Sequence, residues 1–114
     1  MTKACFYKAD NLFSGFEISG HALLLEDGPD VLCAAVSSMT SLVVNTLTDV
    51  FGAELLFKEN EALAVISAKV ISCPDENRYA VSGVIEGFIL QLQDLALQYP
   101  DNLNVTVKQN TTKG

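Results

Sequence analysis

The sequence predicts an α+β fold: a two-layer sandwich in the order ββαββαβ, with two long helices packed on a mixed, mainly antiparallel sheet. Two long stretches, one beginning at Val31 and one shortly after Pro74, repeat apolar residues at helical spacing. Short β-prone runs punctuated by Asp, Asn, Gly and Pro surround them. Each helix is amphipathic, so each needs an apolar sheet face to cover.

Ala4-Cys5-Phe6-Tyr7 is the first β-prone run, Asp10-Asn11 a turn, and Gly15-Phe16-Glu17-Ile18-Ser19 an alternating strand that completes a hairpin. The alternation places Phe16 and Ile18 on one face and Glu17 and Ser19 on the other, and His21 follows Gly20 at the strand's end. Leu23-Leu24-Leu25 is read as an extension of the strand into the core rather than the lining of a cleft, and Glu26-Asp27-Gly28-Pro29 as a loop. Asp30 has the character of a helix N-cap, after which Leu32, Ala35, Val36, Met39, Leu42, Val43, Leu47 and Val50 keep helical spacing up to Phe51-Gly52. Glu54–Phe57, a polar turn over Lys58–Glu61 and a strand over Leu63–Ile71 read as a second hairpin. Asp75 or a neighbour caps a second helix reaching Tyr99, with Val81, Val84, Ile85, Phe88, Leu92, Leu95 and Ala96 as its core stripe. Leu103, Val105 and Val107 mark the last strand. Gly83 and Gly87, one turn apart inside the second helix, each cost about 1 kcal/mol of propensity. Close approach of another backbone, preferably that of the Ala34-Ala35 stretch and otherwise that of a symmetry mate, is expected to offset this.

With 114 residues, the chain suits a single domain over 1–114. Its 49% hydrophobic and 18% charged content excludes a disordered chain. A net charge of -7 without a basic cluster disfavours free nucleic acid as a partner and suits a basic protein or peptide, although solubility alone accounts for such a balance. Cys5, Cys33 and Cys73 cannot all pair and lack metal-ligand spacing, so they read as reduced thiols. No signal-peptide pattern, no unbroken apolar run long enough for a bilayer and no phosphate-binding, dinucleotide or metal motif is found. These features predict a cytoplasmic protein without a cofactor or membrane partner.

His21 is the only histidine, and Cys33 falls at the start of the first helix. Unpaired N–H groups and partial positive charge at a helix start stabilise thiolate, the nucleophilic form of cysteine. An imidazole able to take the thiol proton would complete a nucleophilic pair. Such a Cys33 should be more reactive than Cys5 or Cys73, which read as structural. On spacing alone, a cysteine beside Ala34-Ala35-Val36 is by default a core thiol. Ser37 stands one turn beyond Cys33, close enough to assist at the thiolate or to bond back to the Cys33 carbonyl.

Gly20-His21-Ala22, Asp30 and Cys33-Ala34-Ala35-Val36-Ser37, with the twelve-residue step from His to Cys, resemble the signature of the ribosomal-processing cysteine protease family Prp. The resemblance implies a homodimeric enzyme that removes a short N-terminal leader from a protein of the large ribosomal subunit, cutting after an apolar, aromatic-containing segment. It makes Cys33 the nucleophile and His21 the general acid/base, with Asp30 and Ser37 in supporting positions. Backbone N–H groups at the helix start, such as those of Cys33 and Ala34, are the natural oxyanion donors. The sequence departs from the family pattern at Leu23-Leu24-Leu25, where many members carry a glycine and an aromatic residue. A non-catalytic ribosome-assembly or peptide-binding module of the same fold is the alternative. A thiol redox protein is disfavoured because Cys33 lacks a resolving cysteine nearby.

Overall fold

The computed structural model describes residues 1–20 and 30–109. Strands β1 (Thr2–Ala9) and β2 (Leu12–Ser19) form an antiparallel hairpin closed by Asp10 and Asn11. Both turn residues have positive φ, 56° and 67°, the twist that a two-residue hairpin loop requires. Strands β3 (Glu54–Asn60) and β4 (Val65–Ser72) form the second hairpin, and β5 (Leu103–Gln109) runs parallel to β1. The five-stranded sheet has the order β3-β4-β2-β1-β5, antiparallel except for the β1–β5 pair.

Helix α1 (Asp30–Asn45) continues through a π-helical turn over Thr46–Val50, and α2 (Arg78–Gln98) follows a short 3-10 turn over Asp75–Asn77. Gly52, at φ 71°, ends the α1 stretch as the sequence indicated, its N–H reaching the Thr48 carbonyl at 3.1 Å. Both helices cover one face of the sheet. Ala4 and Phe6 of β1, Phe16 and Ile18 of β2, and Leu103 of β5 join Leu32, Val36, Leu47, Ile85 and Leu92 of the helical layer in one core. Phe88 stands edge-on to Phe6 and Phe16, with ring centroids 5.6 and 5.3 Å away. By length and composition the helical stretches Val31–Val50 and Asp75–Gln98 would suffice to cross a membrane, although neither is an unbroken apolar run. Here their apolar stripes are taken up by the sheet.

Two expectations change. The second hairpin turns at Glu61–Ala64 rather than Lys58–Glu61, so β3 extends to Asn60 and β4 starts at Val65. Asn60 Oδ1 accepts the Leu63 N–H at 3.1 Å and Ala64 takes φ 54°, local turn chemistry that outweighs the apolar character of Leu63-Ala64. Gly83 and Gly87 do not abut α1: a Cβ at either would meet nothing within 4 Å. They face away from the core because the buried residues Val81, Ile85, Phe88 and Leu92 occupy the opposite side of α2. Leu23-Leu24-Leu25 lies outside the described residues.

Candidate active site

Strand β2 fixes where the polypeptide enters the site. Gly20 donates its N–H to the Ala64 carbonyl at 2.9 Å, holding the residue before His21 against the turn between β3 and β4. Its φ of 114° is a conformation that residues with a Cβ rarely adopt. A Cβ there would also lie 2.5 Å from the Met1 carbonyl oxygen and 2.9 Å from Thr2 Cα, so only glycine fits. His21 itself is outside the described residues, as is the segment 22–29, and nothing is described of the Asp30 side chain.

Asp30 is the first described residue of α1. Cys33 therefore closes the first turn, within the reach of the helix dipole. Its side chain points back toward the helix start, since Cα–Cβ bonds tilt toward the N-terminus.

Cys33 is only 1% exposed, whereas Cys5 and Cys73 are half-buried, and none of the three is in a disulfide. The thiol expected to be the most reactive is thus the most buried of the three. The physical reason is the phase of α1, in which Cys33 shares its side with buried Val36 and Thr40. Ser37 is exposed and borders a groove between α1 and the β3–β4 hairpin. Thr40, buried in the same stripe, donates to the Val36 carbonyl at 2.8 Å, satisfying its hydroxyl within the helix.

Sequence reasoning missed the lining of this groove because it placed Glu59 in a turn. In the observed register Phe57 pairs with Ala68 and Glu59 with Ile66, which puts both on the helix side of the sheet. The alternation Leu55, Phe57, Glu59 was the available signal. Ser82 was also missed: it is buried on α2, and its hydroxyl accepts the Phe13 N–H of β2 at 2.9 Å.

Fold and placement together define a small α+β protein built around a helix-start thiol, the architecture of a cysteine hydrolase. Residues 1–104 match the family described as Cysteine protease Prp, and the chain belongs to that family. The Ribosomal processing cysteine protease Prp of Bacillus subtilis (strain 168) is 34% identical over 92 residues, 80% of this chain and 82% of the relative. Among solved structures, a Ribosomal Processing Protease Prp from S. aureus in complex with a substrate peptide superposes with TM-score 0.80 at 17% identity. It is matched over 95% of this chain and 100% of that one. A protein from Streptococcus mutans gives TM-score 0.78 at 24% identity, with 96% and 95% of the two chains covered. Both structural likenesses speak for the fold.

Proposed function

We propose that this cysteine protease removes the N-terminal leader of a large-subunit ribosomal protein, with Cys33 as nucleophile and His21 as general acid/base. The observation that carries the reading is Cys33 in the first turn of α1. The Gly20–Ala64 bond, which anchors the chain immediately before His21, supports it. The Cys33 thiolate attacks the scissile carbonyl carbon, and an oxyanion forms that the N–H groups at the start of α1 can receive. Collapse of this intermediate breaks the C–N bond, the leaving amine takes its proton from the His21 imidazolium, and a thioester remains. Water, deprotonated by His21, then attacks the thioester, releasing the carboxylate and restoring the thiol. Asp30 helps to fix the first turn, and Ser37 lies on the substrate side of the thiol. No cofactor is required by this chemistry.

A leader-containing peptide incubated with the natural chain and with Cys33→Ala and His21→Ala tests the assignment by mass spectrometry. Cleavage by the natural chain and none by either variant is the expected result; full activity of Cys33→Ala would sink it. The alternative, a non-catalytic peptide-binding or ribosome-assembly module, is favoured by one observation, the near-complete burial of Cys33. Peptide binding without cleavage by the natural chain would select it.

We further propose that the protein is a cytoplasmic homodimer, paired through the outer stripe of α2. Gly83 and Gly87 open onto free space there, beside Leu90 and Leu97, which are 62% and 82% exposed. Small residues flanked by leucines suit the close approach of a second helix.

A further inference from the structure

The groove between α1 and the β3–β4 hairpin is lined by Ser37, Thr40 and Val44 on one side and by Phe57, Glu59 and Ile66 on the other, with a volume of about 290 Å³. Cys33, Ser37, Thr40 and Val44 succeed one another at steps of four, three and four residues, so they form one stripe along α1. The groove is thus the continuation of the face that carries the nucleophile. Its direction is also fixed. The end of the α1 stretch passes through Gly52 into Glu54, the start of β3, so the two elements run in opposite directions. The start of α1 consequently lies toward Asn60, the end of β3 nearest the Gly20–Ala64 bond. Glu59 is nearer the nucleophile, and Phe57 is one strand repeat farther away.

Two residues on this wall depart from what the sheet's helix side elsewhere demands. In the neighbouring strands that side carries Phe16, Ile18 and Ala68, which are buried, and Ile66, which is half-buried. Phe57 is 43% exposed and Glu59 is exposed, although both point to the same layer. An exposed aromatic ring and a carboxylate in positions of core register are local exceptions of the kind that function explains better than folding does. β3 is also an edge strand, with a row of backbone groups available to an incoming extended segment.

We infer that this groove seats the substrate peptide on one side of the scissile bond. The peptide lies extended along β3, with a cationic side chain at Glu59 and an apolar one two residues farther from the scissile bond at Phe57. The spacing follows from the geometry of extended chains, in which alternate side chains share a face on both strand and peptide. The cation follows from Glu59 and from a net charge of -7 that repels acidic peptides. The inference rests on the protease reading and adds to it the charge and order of residues the enzyme selects.

The test is a set of short fluorogenic peptides with an apolar, aromatic-containing segment, in which Lys, Gln or Glu is scanned through each position. The natural chain is expected to favour Lys over Glu at one position by about fivefold in kcat/KM. Glu59→Gln should abolish that preference and Glu59→Lys should reverse it at the same position. Phe57→Ala should lower kcat/KM for peptides that are apolar two positions farther from the cut, leaving the Lys-to-Glu ratio unchanged. Circular dichroism establishes that each variant is folded.

Cysteine-dependent cleavage with the same Lys-to-Glu ratio in natural and Glu59→Lys chains overturns the groove assignment and leaves the protease reading intact. If no peptide is cut, the protease reading fails, and affinities of the same peptides for the Cys33→Ala chain decide the groove. A preference for Lys that Glu59→Lys reverses upholds it as a peptide site, and equal affinities overturn it.

Discussion

At the scale of single residues, the burial of Cys33 has two measurable consequences. An alkylating reagent given to the ligand-free protein should modify Cys5 and Cys73 before Cys33, because a thiol 1% exposed reacts only when its surroundings open. A short labelling time course read by mass spectrometry ranks the three. Cys33→Ala, which removes only a sulfur atom from a packed site, should cost about 1 kcal/mol in urea unfolding while eliminating turnover. Tyr7 provides a pH-dependent case. Burial and a side-chain hydrogen bond with Cys5 push its pKa up to about 12 from the ordinary 10.0. The folded chain then keeps the phenol protonated where the unfolded chain ionises. The resulting stability is fully present below pH 10 and is lost as pH rises toward 12. Tyr7→Phe should lose less stability than the natural chain across that interval in alkaline melting curves.

At the scale of elements, the way α2 is fastened to the sheet exceeds what its apolar stripe provides. Ser82 accepts the Phe13 N–H at 2.9 Å, while Asn77 Nδ2 donates to the Phe51 carbonyl at 2.9 Å, tying the start of α2 to the end of the α1 stretch. Ser82→Ala leaves the Phe13 N–H half-buried without its acceptor. An unsatisfied buried donor of that kind costs about 1–3 kcal/mol, and equilibrium unfolding of the variant should show a loss in that range. Both helices and all five strands were legible in periodicity, because alternation in Phe16-Glu17-Ile18 and helical spacing in Val81–Leu95 reflect burial directly. Long-range polar links such as Ser82–Phe13 were not, since a serine in a helix carries no mark of its distant partner. Nor was the end of β3, where Lys58-Glu59-Asn60 has turn composition but strand geometry. The family was visible from the Gly-His-Ala and Cys-Ala-Ala-Val-Ser segments, and the start of α1 that carries Cys33 from Asp30 and the helical spacing after it. The burial of Cys33 was not, because a small residue at the first turn of a helix can fall on either side of the apolar stripe's edge.

For the whole molecule, the glycines of α2 separate a solitary chain from a paired one. On an exposed helix with no neighbour, Gly83→Ala and Gly87→Ala should each stabilise by about 1 kcal/mol. Across a close helix–helix contact, a larger side chain drives the partners apart. For the homodimer proposed above, Gly87→Leu is expected to shift the protein to monomers in sedimentation velocity, with its circular dichroism spectrum preserved. A dimer unaffected by Gly87→Leu would place the interface elsewhere on the surface.

The packing of Gly20 against Met1 and Thr2 bears on how the protein can be handled at the bench. The carbonyl of Met1 and the Cα of Thr2 lie where a Gly20 Cβ would be, so the beginning of the chain runs immediately beside the residue that leads into His21. Anything joined ahead of Met1, such as an affinity tag or a few residues left by its removal, therefore starts beside Gly20 rather than at a remote surface. The last described strand, β5, is the edge of the sheet opposite β3. A handle following β5 starts from the edge farthest from the groove, and kinetic constants taken from amino-terminally tagged protein would report partly on the tag.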